Sequence, residues 1–335
     1  MILDTSVQKN KITIVDVADA LGISKTTVSR AISGKGRIGE ETRQRVLDYI
    51  KENDYKPSPL AKGLAKSRTY NLCFAIPDDS TATDAPFFLR CMLGVAKEAA
   101  PVDYDILNVL MHERDISQLK RVVENRKVDG VILGRTLMKD SRVRFLKESG
   151  IPFVVIGSTQ EKNVVQIDND HIRACRELTK ALLKKDVKKI ALIGGDMAHV
   201  VNQTRKRGFE EGVKGLKAED VLYYQDREER EEIYEAVMDA VEKEAECIVS
   251  TDDHICYNVL QKLHSENISI PQKIKVASFY DSQIIANHHP EITALQYDPK
   301  ELGMIACRTL LKLISGEEVQ NKVLLGYELR LTDSV

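Results

Sequence analysis

The sequence predicts a small all-α helix-turn-helix headpiece followed by an α/β core of two doubly wound subdomains. Three observations predict it. Two short capped helical stretches flank a single glycine turn within residues 13–33, and from Tyr70 onward apolar runs alternate with amphipathic stretches of helical period. The third is charge: residues 1–70 hold 13 basic and 8 acidic side chains, a net of +5, which leaves −7 for the rest of a chain whose total is −2. A basic end on an acidic body points to a polyanion at one end of the molecule alone. A chain of 335 residues exceeds one ordinary domain, and 43% hydrophobic with 30% charged residues excludes a mostly disordered polymer.

The headpiece elements follow from their caps. Thr13-Ile14-Val15-Asp16 has the form of a capping box, so a helix starts near Ile14, carries Val17, Ala18 and Leu21 on one face, and stops at Gly22. Ser24 caps a second helix, Lys25 to Ile32, closed by Gly34 and Gly36. A third starts around Gly39 with Glu40 and Glu41 in its first turn, where the helix dipole favours acids, and runs to about Asn53. Val17, Ala18, Leu21, Ile23, Val28 and Ile32 would form the core. The second helix then presents Lys25, Thr26, Ser29 and Arg30, and Arg30 has the fork that bonds guanine through two hydrogen bonds. The stretch Asn53–Arg68 joins a proline-broken linker to a helix of one or two turns, too short to hold by itself in water.

In the body, Leu72–Pro77, Ile106–Leu110, Gly130–Leu133, Phe153–Ile156, Ile190–Ile193, Cys247–Ser250 and Ile274–Ser278 read as buried strands, with a final strand-like run Val323–Leu331. Between them the period changes to that of helices near Phe88–Ala99, Ser117–Asn125, Ser141–Glu148, His171–Lys185, Thr204–Lys214, Arg227–Glu244 and Asp253–Asn267. Some 265 residues in this pattern suit two similar lobes with a ligand cleft between them.

Other functions find little support. The six cysteines contain no C-x-x-C pair, so neither a metal site nor a dithiol is expected. No phosphate-binding glycine loop, dinucleotide fingerprint or G-x-S-x-G elbow occurs, and no catalytic residues or cofactors are assigned. No stretch approaches the roughly 18 apolar residues of a membrane span. MILDTSVQKNK has an early Asp4 and no apolar segment of a signal peptide, so a cytoplasmic location is expected.

VADALGISKTTVSRAISGKGRI and YKPSPLAKGLAKSRT together resemble the LacI/GalR family of bacterial repressors, specifically over residues 12–70 and more loosely along the whole chain. The resemblance implies a headpiece (1–58), a hinge helix (59–69) and a core like periplasmic sugar-binding proteins (70–335), whose chain crosses between lobes near Gly157–Lys162, Ala294–Pro299 and Gly326. It implies base reading by Lys25, Thr26 and Arg30, phosphate contacts by Thr13, Ser24, Thr27, Ser29 and Tyr55, and hinge contacts in the minor groove by Ala61 and Leu64. An apolar wedge such as Leu64 unstacks a base step and bends the duplex.

For the cleft, the same resemblance points to Phe87 and Phe88 against a small-molecule effector and to Arg205 bonding it. Arg205 could instead pair with Asp196 or Glu210. Thr251 and Asp252 are candidate polar contacts, while the Asp168-Asn169 pair is expected to cap the following helix. Tyr280, followed by Asp281, stands where the family carries an aspartate that grips hydroxyls, and Gly157 offers no side chain opposite; a phenol is poorly shaped for two hydroxyls at once. Expected partners are therefore double-stranded operator DNA, a sugar, sugar phosphate or other metabolite, and a second copy, since no heptads follow the last strand to build a tetramer. The competing readings are a cytosolic small-molecule-binding protein and an effector-independent DNA binder.

Overall fold

Thr13 opens the first helix of the computed structural model, which describes residues 12–34, 36–55, 68–78, 85–112 and 115–335. The Asp16 N–H donates to the Thr13 hydroxyl at 3.4 Å and the Thr13 N–H donates back to the Asp16 carboxylate at 2.7 Å, which completes the capping box. That carboxylate, accepting from the Thr13 N–H and hydroxyl, is held below the ordinary aspartate range. Helix α1 (Ile14–Leu21) ends at Gly22, whose φ of 64° few side-chain-bearing residues tolerate. Helix α2 (Lys25–Ser33) is capped by Ser24 and α3 (Glu40–Glu52) crosses both. Val17, Ala18, Val28, Ala31, Val46 and Tyr55 are buried between them. The chain divides after Thr69. Residues 56–67, with Ala61, Leu64 and most of the expected hinge helix, lie outside the described residues.

The second unit contains two six-stranded sheets. The first is built from β1 (Asn71–Pro77), β2 (Asp105–Met111), β3 (Gly130–Gly134), β4 (Phe153–Ile156), β5 (Val165–Asn169) and β11 (Lys322–Leu325), in the order β11-β5-β4-β3-β1-β2 and parallel throughout. The second contains β6 (Ile190–Ile193), β7 (Val221–Tyr224), β8 (Cys247–Ser250), β9 (Lys275–Ser278), β10 (Thr293–Gln296) and β12 (Glu328–Arg330), ordered β12-β10-β9-β8-β6-β7, with β12 alone antiparallel. Parallel strands need crossovers, and helices supply them: α4 (Ala85–Ala99), α5 (Ser117–Glu124) and α6 (Ser141–Ser149) in the first lobe, α7 (His171–Leu183), α8 (Val200–Gly212), α9 (Arg230–Glu242) and α10 (Asp253–Ser265) in the second. Helix α11 (Pro299–Ile314) returns to the first lobe and packs on α4, β3 and β4.

Apolar residues are buried on both faces of each sheet, in four clusters. Helices α4 and α11 meet so closely that a Cβ on Gly94 would stand 2.0 Å from the Lys300 carbonyl, and one on Gly303 2.0 Å from the Cys91 carbonyl. Two bare backbones are what allow that crossing.

The chain passes between lobes at residues 169–171, 296–299 and 325–328. The first passage corrects the expectation at Gly157–Lys162. That stretch joins β4 to its neighbour β5 in the same sheet, and a polar loop reads alike whether it joins two strands or two lobes. The expected single strand Val323–Leu331 is two strands in different sheets, divided at Gly326. β5, β7, β10 and α11 went unread, and α8 begins four residues earlier than expected. All six cysteines are buried free thiols, and burial raises the Cys73 and Cys247 thiols to about 12. Among the described residues no helix is long and apolar enough to cross a membrane.

Candidate functional site

In the headpiece, Lys25, Thr26, Ser29 and Arg30 are exposed, while Val28 and Ala31 of the same helix are buried. The spacing of four between Lys25 and Ser29, and between Thr26 and Arg30, places all four polar side chains on one face. Thr13, Ser24 and Thr27 gather around the starts of the first two helices. The Thr27 N–H donates to the Ser24 hydroxyl at 3.1 Å, and the two hydroxyls lie 2.9 Å apart. Tyr55 departs from the rest of the phosphate set: at 7% exposure it belongs to the headpiece core, and burial raises its phenol. This arrangement offers hydrogen-bond donors and a guanidinium on a solvent-facing helix.

The cleft of the core follows from sheet topology. Side chains at the carboxyl ends of strands from both sheets converge on about 740 Å³ of unfilled space, part of it continuous with solvent. Parallel open sheets bind ligands at that end of their strands. Phe87 and Phe88 come from the start of α4, Arg135 and Thr136 follow β3, Gly157 follows β4, and Asp168 and Asn169 end β5. From the second lobe come Arg205 of α8, Asp252 and Asp253 after β8, Tyr280 after β9 and Tyr297 after β10.

Arg205 is 8% exposed, makes no ion pair among the described residues, and its Nε has no hydrogen-bond partner. The alternative pairing fails because Lys206 takes Glu210 at 3.7 Å and the Asp196 carboxylate accepts the Ala198 N–H at 2.7 Å. The guanidinium stands 5.9 Å from the Tyr280 ring centre. Tyr280 stacks on Tyr297 at 6.2 Å and 14°, and meets Phe87 edge-on at 6.1 Å. Asn169, 4% exposed, has an Oδ1 that accepts no hydrogen bond.

Asp168 is more than the expected cap. Burial acts to raise its carboxyl, but His171 at 3.3 Å, the Ser158 hydroxyl at 2.7 Å and the Asn169 N–H at 2.8 Å hold it below the ordinary aspartate range. The helix cap is Asp170, which accepts the Arg173 N–H at 3.2 Å. The other ring nitrogen of His171 lies 3.2 Å from the Tyr297 hydroxyl. Two expected contacts lie off the cleft lining. Thr251 is fully buried, its hydroxyl accepting the Gly195 N–H at 3.4 Å, and Asp281 takes Gln296 at 2.5 Å and Arg330 at 3.7 Å. Asp252 lines the cleft but also caps α10 through the Ile255 N–H at 2.9 Å. Asn169, expected as half of a capping pair, lines the cleft instead, and nothing in the local sequence marks His171 or Tyr297 as lining it. Elsewhere among the described residues, Asp196, His199 and Glu228 bring ligand atoms within 4.8 Å of one another, with the positive charge of Arg135 acting on Glu228.

Residues 13–58 match the family described as bacterial regulatory proteins, lacI family, and residues 179–335 match a periplasmic binding protein-like domain. The chain therefore carries a lacI-family regulatory segment at its N-terminus and a periplasmic binding protein-like domain in its core. The chain is similar to the transcriptional regulator MalR of Streptococcus pneumoniae, 28% identical over 93% of this chain and 95% of that protein. Catabolite control protein A of Streptococcus mutans is 28% identical over 95% of this chain and 96% of its own. Among solved structures, a lac repressor dimer bound to operator and an anti-inducer aligns with a TM-score of 0.78 over 96% of this chain and 98% of that one, at 17% identity. A CelR–cellobiose complex aligns at 0.71 over 97% and 100%, at 23% identity. At those identities the structural likeness establishes the fold alone. The lacI-family match at residues 13–58 and the full-length similarity to transcriptional regulators make this chain a DNA-binding transcription regulator.

Proposed function

We propose that this regulator is a repressor that binds a pseudo-palindromic operator as a dimer and answers to a small molecule held in the core cleft. The observation that carries the ligand reading is the pair of buried, unpartnered polar atoms in one cleft, Arg205 Nε and Asn169 Oδ1. Leaving such groups unsatisfied costs roughly 1–3 kcal/mol each, and a ligand offering one acceptor and one donor removes that cost. The CelR–cellobiose complex supports a carbohydrate or a related metabolite. Base reading rests on Lys25, Thr26 and Arg30, phosphate contacts on Thr13, Ser24, Thr27 and Ser29. A second copy is supported by Leu89 and Leu93, each 52% exposed and one helical turn apart on α4, with Leu110 of neighbouring β2 58% exposed.

The test is selection of binding sites by the purified protein from a random duplex pool, followed by a screen of metabolites for release or tightening on the selected site. Enrichment of a palindrome with half-sites about one helical turn apart is expected. A pool that stays random would overturn the operator reading. One observation favours a second reading, an effector-independent DNA binder: Tyr280, packed between Tyr297 and Phe87, already occupies the wall where a hydroxyl-gripping carboxylate would stand. An operator-bound protein indifferent to every metabolite tested would support it.

A further inference from the structure

Two loops meet across the mouth of the cleft, and each is stiffened from within. In the first lobe, residues 135–140 fold around a buried ion pair: the Asp140 carboxylate accepts the Leu137 N–H at 3.0 Å, the Arg142 N–H at 3.0 Å and the Arg142 guanidinium at 2.7 and 2.8 Å. Arg142 donates in turn to the Arg135 carbonyl at 2.9 Å. In the second lobe, the Met197 N–H donates to Asp226 at 2.9 Å, and the Asn202 and Gln203 side-chain amides donate to the carbonyls of Asp196 at 2.8 Å and Met197 at 2.7 Å.

Each loop therefore presents a fixed edge of backbone, and the edges pair. The Met138 N–H donates to the Ala198 carbonyl at 2.8 Å and the Val200 N–H to the Thr136 carbonyl at 3.1 Å, with Leu137 and His199 opposed in an antiparallel bridge. Val200 is the first residue of α8, so its N–H has no acceptor inside its own helix; the opposite lobe supplies one. The Tyr280–Phe87 edge contact is a second tie between the lobes.

We propose that the bridge between residues 136–138 and 198–200 is a clasp that holds the two lobes in their closed arrangement. Parting the lobes then means breaking that pairing. The ordering cost of the pairing is met in advance by the two stiffened loops, and two backbone hydrogen bonds whose groups water can satisfy when parted leave the closure reversible.

The test uses Val200→Pro in the full chain. Proline suits the first position of a helix, and His199 at φ −76°, ψ 126° has the extended backbone that a following proline requires. The substitution removes one clasp hydrogen bond and none inside α8. Spin labels at the exposed positions 124 and 242, one in each lobe, report interlobe distance without ligand. One short-distance population is expected for the parent, and a second, longer one for Val200→Pro. Val200→Ala, which trims the side chain but keeps the N–H, is expected to match the parent. A parent already split between distances, a Val200→Pro distribution identical to the parent's, or equal opening in Val200→Ala would each overturn the clasp. Should Val200→Pro not fold, the pair Leu137→Cys and His199→Cys decides: opposed bridge residues suit disulfide geometry, so mild oxidation of ligand-free protein should cross-link the lobes. Failure to cross-link would also overturn it.

Discussion

Arg30 and Arg205 carry the same charge in opposite surroundings, and their removal separates the two halves of the mechanism. Arg30→Ala should weaken binding to a selected operator by about 1–3 kcal/mol and relax the preference at one base pair, with little change on random duplex. Quantitative binding to both duplexes checks it, and equal losses would remove Arg30 from base reading. Arg205 is buried and makes no ion pair among the described residues, so Arg205→Met should leave the ligand-free melting temperature unchanged or raised while abolishing the ligand-induced shift. Asp140→Ala differs from both: it strands the 1%-exposed Arg142 and should cost about 3–5 kcal/mol in a denaturant titration. Asp168 sets an acid limit. Its folded carboxyl titrates below the ordinary aspartate range, so its contribution to stability is complete above that range and is lost as pH falls through the lower folded value. Asp168→Asn should flatten that part of a stability–pH profile.

Among elements, the crossing of α4 and α11 is the least forgiving. Gly94→Ala or Gly303→Ala drives a methyl into a carbonyl of the facing helix, and the backbones must part. A loss of at least about 1–3 kcal/mol in urea titration is expected, since rigid backbone cannot yield as a side chain does. The glycines could be read in the sequence; their partners could not, because some 210 residues separate Gly94 from Gly303. Elements with a strong local period were legible for the same reason: the caps of α1 and α2, and apolar runs such as those of β1 and β8, need only their own neighbours. β5 was not, since Val-Gln-Ile-Asp-Asn ends in polar residues that the cleft buries, and a buried polar strand end resembles a cap until the facing lobe is present. Thr251 and Asp281 stand off the cleft lining for a different reason. The motif placed them correctly in sequence, but side-chain direction at the end of a strand decides which of two neighbours faces the cleft.

At the scale of the whole molecule, the proposed dimer and the order of the chain carry consequences. Leu93→Asp should shift the sedimentation of the purified protein toward the monomer and weaken operator binding with it, because each protomer supplies one half-site reader. An unchanged sedimentation profile would remove α4 from the interface. The first sheet is not contiguous in sequence: its strand β11 and its covering helix α11 come after the whole run from β6 to β10 of the second. On the ribosome, the first lobe therefore waits for about 130 further residues before α11 can cover it, on the order of ten seconds at ordinary elongation rates. During that interval the apolar surface destined for Leu302, Ala306 and Leu310 stays open. Nascent chains stalled between residues 200 and 298 should therefore be chaperone clients, and those stalled with residue 325 clear of the exit tunnel should not.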